Sequence, residues 1–245
     1  MKIIISETKE ILGREAAKTG AGLIRESISR NGRANIIVAT GASQFEMLEE
    51  LTRQDVDWTK VTGFHLDEYI GLKDDHPASF CRYLRERFVD KISLKEFYYI
   101  SGVAEPKSEC SRLGNILRDH PVDVAFIGIG ENGHLAFNDP PADFETEKPY
   151  ITVNLDNACR QQQLNEGWFG SLNEVPTRAI SMSIKQIMKS GTIICTVPDE
   201  RKAIAVRNTL TCRINPLFPS SILIAHNSVW LFLDGGSSSL IKTHE

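Results

Sequence analysis

The sequence lacks paired cysteines, a strong charge imbalance and long apolar runs. Its 5 cysteines are scattered without a C-x-x-C pair, so we predict free thiols in a reducing compartment and neither a disulfide framework nor a zinc site. A formal net charge of −4 offers no basic surface to nucleic acid or to an anionic membrane. No apolar stretch approaches the ~20 residues of a membrane span, and the run at 2–6 is too short for a signal peptide. We therefore expect a cytoplasmic globular protein without nucleic-acid or membrane partners.

Linkers, internal repeats and low-complexity blocks are also absent, so we predict a single domain over residues 1–245. Short apolar runs alternate with amphipathic stretches, a pattern typical of βαβ units and a mainly parallel sheet. The predicted strands lie at 2–6, 35–39, 61–66, 97–100, 122–128, 151–154, 179–182, 192–197, 221–225 and 229–233. The predicted helices lie at 7–31, 43–54, 78–88, 106–120, 184–189 and 199–210. The small-residue run at 235–239 is expected to fray.

Three glycines lie between a predicted strand and a histidine. Residues 128–134 read GIGENGH, and the predicted strand at 122–128 ends on the first of these glycines. Glycines allow a sharp turn and a close approach of the backbone to a ligand. His134 should therefore reach the carboxyl end of a strand, where open α/β sheets bind small molecules. Asp139 lies five residues further on and can reach back to orient or charge-balance the imidazole, so the spacing predicts an acid/base site.

A turn of small residues precedes another predicted helix. The strand at 35–39 leads into Thr40, Gly41, Ala42 and Ser43. Ser43 with Glu46 three residues later fits a capping box, and the free N–H groups of such a turn suit a phosphate group. The same pattern also fits an ordinary strand-to-helix turn, so both readings stay open.

A lysine occupies the start of the predicted helix at 199–210. With Asp199 as the N-cap, Lys202 lies near the third helical position, where a cation is disfavoured by roughly 0.3–1 kcal/mol. We interpret Lys202 as held by an anion that a ligand brings. A solvent-pointing side chain screened by Glu200 is the alternative.

Two adjacent carboxylates, Asp67 and Glu68, follow the predicted strand at 61–66. Successive strand residues face opposite ways, so only one of the two can face a cleft, and we choose Asp67. A partly desolvated carboxylate there can act as a base on a carbon-bound proton. An acidic strand-to-loop junction is the alternative, and His65 and His76 are predicted to be structural or surface residues.

Together these segments resemble the glucosamine-6-phosphate deaminase/isomerase family, which is related more distantly to 6-phosphogluconolactonases. The matching strings are TGAS at 40–43, FHLDEYIGL at 64–72, GIGENGHLAFNDP at 128–140, VP at 175–176 and KA at 202–203. Their order and spacing fit over about residues 2–234. The resemblance implies a Rossmann-like three-layer α/β fold of the deaminase/isomerase type, with a mainly parallel sheet.

The resemblance also implies roles for individual residues. Asp67 matches the base that moves a proton between C2 and C1, and His134 matches the acid/base that opens the sugar ring. Asn132 and Asp139 match the positions that flank and tune this histidine. The positions that match the phosphate-binding residues are Thr40, Gly41, Ala42, Ser43 and Lys202. The implied reaction converts glucosamine 6-phosphate to fructose 6-phosphate and ammonia, with neither a metal nor an organic cofactor.

Three positions depart from the family pattern. Asn132 stands where aspartate is usual, and an amide cannot stabilise a positive ring as a carboxylate does. Asp139 is one methylene shorter than the usual glutamate, so we expect a longer or water-mediated contact with His134. The stretch at 160–169 lacks the usual phosphate arginine, since Arg160 matches an earlier family position, and we expect its glutamines to meet the sugar.

Other functions stay open at this point. They are a galactosamine-6-phosphate deaminase/isomerase, a hydrolase like 6-phosphogluconolactonase, and a sugar-phosphate sensor without turnover. Tyr69 and the string AFN at 136–138 speak against the hydrolase, and the absence of a helix-turn-helix pattern speaks against the sensor. The sequence leaves undecided the epimer at C4, homo-oligomerisation, an allosteric effector and the physiological direction.

Overall fold

Seven parallel strands form a central sheet in residues 1–241, the part of the chain that the computed structural model describes. The strands along the chain are β1 (Lys2–Ser6), β2 (Ala34–Val38), β3 (Val61–His65), β4 (Asp67–Tyr69), β5 (Glu96–Tyr98), β6 (Val124–Ile127), β7 (Tyr150–Asn154), β8 (Arg178–Met182), β9 (Thr192–Val197) and β10 (Val229–Asp234). The central sheet has the order β1-β10-β9-β6-β2-β3-β5, while β4, β8 and β7 form a second, antiparallel sheet. The inner strands β2, β6 and β9 are apolar on both faces, as a covered parallel sheet requires.

Helices cover both faces of the central sheet. They are α1 (Lys9–Asn31), α2 (Phe45–Thr52), α3 (Phe80–Arg87), α4 (Pro106–Arg118), α5 (Asn157–Asn165), α6 (Ile184–Met188) and α7 (Ala203–Thr211). Apolar residues of α1, α2 and α3 share one buried cluster with the sheet, and those of α4, α6 and α7 share another. The three layers confirm the predicted Rossmann-like α/β fold. Among residues 1–241, no helix combines the length and apolarity needed to cross a bilayer.

Local sequence signals set the ends of these helices. At the start of α1, Thr8 Oγ1 accepts the N–H of Ile11 at 3.3 Å, and Gly32 ends the helix with a φ of 72°. Pro106 opens α4, directly after Glu105, whose carboxylate caps the first turn.

Four neighbouring strands bring the predicted site segments to one edge. β9, β6, β2 and β3 are adjacent in the central sheet. Their carboxyl ends lead into residues 198–202, 128–134, 39–43 and 66–67. Because ligands of open α/β sheets bind outside the carboxyl ends of strands, this edge is where a site is expected.

Two predicted strands differ from the structure. The segment at 221–225 belongs to the 3-10 helix Pro219–Ala225, because Pro219 fixes a helical φ at its first position and donates no N–H to a ladder. The strand at 61–66 ends at His65, since the chain then leaves the central sheet to form β4. The predicted elements therefore did not include β4. They also did not include α5, because its sequence NACRQQQLN carries little apolar periodicity.

The expectation that residues 235–239 fray is wrong. Ser237 is fully buried, and its N–H donates to Asp234 Oδ1 at 2.7 Å. The segment therefore forms an ordered turn after β10. The predicted domain extends to residue 245, and residues 242–245 lie outside the described part of the chain.

Candidate active site

A cavity of about 340 Å³ opens at the carboxyl edge of the central sheet. Seven of the nine site residues predicted from the sequence line it, namely Thr40, Gly41, Ala42, Ser43, Asp67, His134 and Lys202. Asn132 and Asp139 do not line the cavity but contact His134 from behind. The structure thus brings all nine residues into one site.

The glycine segment leaves room for the imidazole of His134. The ring lies against Gly130, where a β-carbon would overlap it. The Gly130 N–H donates to the His134 C=O at 3.0 Å, and Gly133 closes the turn with a φ of 87°. The spacing of these glycines therefore sets both the path of the chain and the position of the ring.

Asp139 and Asn132 support His134 directly. Asp139 Oδ1 lies 3.2 Å from His134 Nδ1, and Asn132 Nδ2 donates to the same oxygen at 3.1 Å. The backbone N–H of His134 donates to Asn132 Oδ1 at 3.0 Å. Burial would raise the pKa of Asp139, but its contacts with His134 and Asn132 hold this pKa below the ordinary value.

The expectation of a longer or water-mediated contact between Asp139 and His134 is wrong, because the two side chains lie 3.2 Å apart. A tight turn compensates for the short side chain, with Ala136 at a φ of 53° and the Asn138 N–H donating to the Leu135 C=O at 3.1 Å. This turn carries Asp139 back toward the ring, so an aspartate reaches it directly.

Asp67 and Glu68 have separate surroundings. Asp67 begins β4 and lines the cavity, although its side chain is only slightly accessible. Burial and the neighbouring Glu68 carboxylate raise the pKa of Asp67 to about 8. Glu68 points away and accepts hydrogen bonds from Ser79 Oγ at 2.8 Å and from the Cys81 N–H at 2.9 Å. Only Asp67 is therefore available to a ligand.

The turn after β2 differs from the predicted capping box. Ser43 lies inside the 3-10 turn Ala42–Gln44, which follows Gly41 at a φ of 98°. Its hydroxyl accepts from Gln44 Nε2 at 3.1 Å, while Glu46 pairs with Lys9 at 2.8 Å. The capping box is wrong because the extra 3-10 turn moves the start of α2 beyond Ser43. The small residues still line the cavity.

Lys202 is the buried cation of the site. It is 5% exposed, lines the cavity and has no carboxylate partner within ion-pair distance among residues 1–241. Burial lowers the pKa of Lys202, although the carboxylates of Glu166 and Glu131 oppose this shift. A buried, unpaired ammonium indicates a site for an anion, and the solvent-pointing alternative does not hold.

Sequence reasoning missed several charged residues of the cavity. Lys9, Glu46, Glu166 and Arg201 also line it. Arg201 directly precedes Lys202 in the same turn, and this adjacency to a predicted site residue could have indicated it. Glu166 belongs to the polar stretch around α5, where neither periodicity nor a motif distinguished it.

Two glutamines of α5 lie at the cavity as the sequence led us to expect. Gln162 Oε1 accepts the Glu131 N–H at 3.1 Å, and Gln162 Nε2 donates to Glu166 at 2.9 Å. Gln163 Oε1 accepts from the Tyr69 hydroxyl at 2.8 Å. The Tyr69 hydroxyl needs the amide oxygen as its acceptor, which fixes the orientation of the Gln163 amide. The amide nitrogen then has no hydrogen-bond partner within residues 1–241. Gln163 thus offers the cavity a donor.

Arg160 does not reach the cavity. Its guanidinium donates to the C=O of Leu172 at 2.6 Å and to the C=O of Val175 at 3.1 Å. The side chain therefore joins α5 to the chain before β8, a structural role.

One group near the site has the spacing of metal ligands. His134, Asp139 and Cys159 have ligand atoms within 4.8 Å of one another. Burial strongly raises the pKa of the Cys159 thiol, which opposes the thiolate that a metal needs. Asp139 is also engaged with His134 and Asn132. This donor set fits a metal poorly.

At the edge of its parallel sheet, this α/β protein brings together a buried carboxylate, a carboxylate-supported histidine and a buried lysine. The family model for glucosamine-6-phosphate isomerases and 6-phosphogluconolactonase matches residues 7–232. The chain belongs to this family, as the sequence resemblance predicted.

Individual relatives match over the whole chain. A glucosamine-6-phosphate deaminase of Exiguobacterium sibiricum is 35% identical, covering 99% of this chain and 94% of that protein. One from Streptococcus pneumoniae strain TIGR4 is 32% identical, covering 98% and 100%. The structure of a monomeric glucosamine-6-phosphate deaminase has a TM-score of 0.89 at 30% identity, covering 98% and 100%. A 6-phosphogluconolactonase of Trypanosoma brucei has a TM-score of 0.82 at 14% identity over 98% of each chain, which shows the shared fold alone.

Proposed function

We propose that the protein is a glucosamine-6-phosphate deaminase, which isomerises its substrate to fructose 6-phosphate and releases ammonia. The observation that carries this proposal is the joint placement of Asp67, His134 and the unpaired Lys202 around one cavity. The deaminases that match the whole chain support the same reaction.

The phosphate dianion binds at the end of the cavity that carries Lys202. The ammonium supplies the charge, and the turn with Thr40, Gly41, Ala42 and Ser43 supplies hydroxyl and N–H donors. Gly128 permits this arrangement because a β-carbon there would lie 2.9 Å from Gln44 Nε2 and 3.2 Å from Ser43 Oγ.

His134 opens the sugar ring. The imidazole passes the proton of the C1 hydroxyl to the ring oxygen, which yields the open-chain aldehyde. Asp139 holds Nδ1 at 3.2 Å and stabilises the charged ring that forms during transfer. Asn132 orients Asp139 and the backbone of His134 without adding a second negative charge.

Asp67 then moves the proton next to the carbonyl. In its ionised form it removes the proton from C2 and returns it to C1. The C1 aldehyde oxygen becomes a hydroxyl with a proton that the C2 amine gives up, so C2 becomes an imine. Water adds to this imine and the resulting carbinolamine loses ammonia, which leaves the ketose phosphate. Burial favours such a base because a raised pKa makes the carboxylate more basic.

The remaining features of the molecule follow this assignment. We propose one domain over residues 1–245 that acts in the cytoplasm, and the monomeric deaminase with the same fold supports a monomer over a homo-oligomer. The C4 epimer, galactosamine 6-phosphate, is the second candidate substrate, since Gln162 and Gln163 line the cavity with polar groups that can contact the sugar hydroxyls.

Ammonia release tests the proposal. Purified protein is incubated with glucosamine 6-phosphate, and ammonia and fructose 6-phosphate are quantified together. Equal amounts of both support the reaction. Tight binding of the sugar phosphate without ammonia would instead indicate a sensor.

A further inference from the structure

Asp199 has a backbone conformation that L-residues rarely adopt. Its φ is 88° and its ψ is 133°, outside the left-handed helical region and in a part of φ/ψ space that glycine normally fills. The residue links β9 to the turn Glu200–Lys202 and lines the cavity. Strain of this kind persists only where the surrounding contacts impose it, and it concentrates at functional sites.

Two hydrogen bonds hold the backbone of Asp199. Its N–H donates to Asp234 Oδ2 at 2.9 Å, and its C=O accepts the Lys202 N–H at 3.0 Å. Asp234 is itself fixed, because its Oδ1 accepts the N–H of Ser237. The ordered turn after β10 thus supports Asp199.

The carboxylate of Asp199 is bound to Arg201. Oδ2 accepts from Arg201 Nε at 3.2 Å and from Nη2 at 3.0 Å, and Oδ1 accepts the Arg201 backbone N–H at 3.1 Å. On its other side, Arg201 Nη1 lies 3.3 Å from Glu131 Oε1. The Asp199 carboxylate therefore holds the guanidinium at the cavity, and Glu131 adds an ion-pair contact on the opposite side.

The guanidinium of Arg201 retains donors for a ligand. A guanidinium carries five N–H donors in a planar fork. Asp199 occupies the hydrogen on Nε and one on Nη2, and Glu131 faces one on Nη1. At least one hydrogen therefore remains on each terminal nitrogen, and such a pair suits two oxygens of a phosphate.

We propose that Arg201 is a second cation of the phosphate site, and that Asp199 is the positioning residue that holds its guanidinium there. The inference rests on the proposed function, because the ligand is a sugar phosphate. Lys202 supplies a compact charge to the dianion, and Arg201 supplies a bidentate fork. A glycine at 199 would adopt the same backbone without strain, so the aspartate contributes through its carboxylate.

Binding measurements on four variants test the inference. The dissociation constants of fructose 6-phosphate and inorganic phosphate are measured by calorimetry for Arg201→Gln, Asp199→Gly and the double variant. Arg207→Gln is the control, because Arg207 is an exposed arginine of α7 that does not line the cavity. Melting temperatures are recorded for Asp199→Gly and Asp199→Ala.

We expect Arg201→Gln to raise the Kd roughly 10- to 100-fold, and Arg207→Gln to leave it unchanged. Asp199→Gly should raise the Kd roughly 3- to 10-fold in the parent protein, but less than about twofold when Arg201 is already Gln. Because glycine relieves the strain, Asp199→Gly should melt about 2–4 °C above Asp199→Ala.

Three results would overturn the inference. They are equal Kd values for Arg201→Gln and Arg207→Gln, additive losses in the double variant, and equal melting of the glycine and alanine variants. If the parent protein binds neither fructose 6-phosphate nor inorganic phosphate, the result contradicts the proposed function and, with it, this inference. If the parent binds them and only Arg201→Gln is without effect, the proposed function stands and this inference alone fails.

Discussion

Asp67 and Glu68 are consecutive residues, yet one faces the cavity and the other is enclosed by hydrogen bonds. Glu68 accepts from the Ser79 hydroxyl and from the N–H groups of Tyr69, Phe80 and Cys81. Asp67 has no such partners among residues 1–241, and burial together with the charge of Glu68 raises its pKa to about 8. The alternation of β4 therefore engages one carboxylate in the fold and leaves the other open to a ligand in the cavity.

The pH dependence of activity should follow Asp67. The base must be ionised, so kcat/KM should rise with pH by about tenfold per unit below pH 8 and level off above it. A steady-state profile of the deaminase reaction between pH 6 and 9 measures this. A flat profile from pH 6 to 8 would contradict the raised pKa.

Asp67 should also make the free energy of unfolding depend on pH. The folded state keeps a proton on Asp67 up to about pH 8, whereas an unfolded aspartate loses it near pH 3.9. The free energy of unfolding should therefore fall as the pH rises between these values. Urea unfolding of the parent protein and Asp67→Asn isolates this contribution, since the variant should lose part of the slope. Identical slopes would count against the assignment.

Gly130→Ala should displace the His134 imidazole, because the added methyl would occupy the place of the ring. We expect a fall in kcat of about 100-fold or more with a retained fold, as for a catalytic group moved by about 1 Å. Gly22→Ala in α1 is the control, since its nearest neighbour is an Arg25 atom at 4.0 Å.

His134→Gln allows the cause of that loss to be checked. If the imidazole opens the ring, both variants should lose more activity on the closed sugar than on an open-chain analogue. Equal losses on the two substrates would remove the ring-opening role from His134.

Lys202→Ala should weaken binding more than it slows turnover. Removing a buried cation from a dianion should raise the KM for glucosamine 6-phosphate roughly 10- to 100-fold, with little change in kcat. Lys18→Ala, which removes an exposed lysine of α1, is the control. An unchanged KM would show that the phosphate binds elsewhere.

Gln163→Leu should affect recognition of the sugar. It removes the amide donor that Tyr69 orients toward the cavity, and we expect a KM about tenfold higher. Gln161→Leu is the matched control, because Gln161 is the exposed neighbour in α5. Comparing glucosamine 6-phosphate with its C4 epimer shows whether Gln163 discriminates between them. Identical kinetics of the two variants would assign Gln163 to the scaffold.

Much of the central sheet could be predicted because its strands are continuous apolar runs such as VAFI in β6 and TIICTV in β9. The glycine segment before His134 was equally readable, since close approach requires glycine. β4 was missed because its three residues continue an apparent strand and only tertiary pairing with β8 turns them away.

Charged partners were the least predictable part of the site. Arg201 reaches the cavity through the strained Asp199, a conformation that sequence preferences argue against. The direct contact of Asp139 with His134 also depends on an unfavourable φ at Ala136. In both places the tertiary structure imposes a backbone that local propensity would reject, which is why the sequence did not reveal them.

The most direct test of the proposed mechanism is ammonia release by the parent protein and by Asp67→Asn, with glucosamine 6-phosphate and galactosamine 6-phosphate assayed side by side. We expect stoichiometric ammonia and fructose 6-phosphate from glucosamine 6-phosphate, and binding without measurable turnover in Asp67→Asn. Ammonia from the galactosamine epimer alone would change the substrate and keep the mechanism. Equal turnover by the parent protein and Asp67→Asn would contradict the central claim that Asp67 moves the proton.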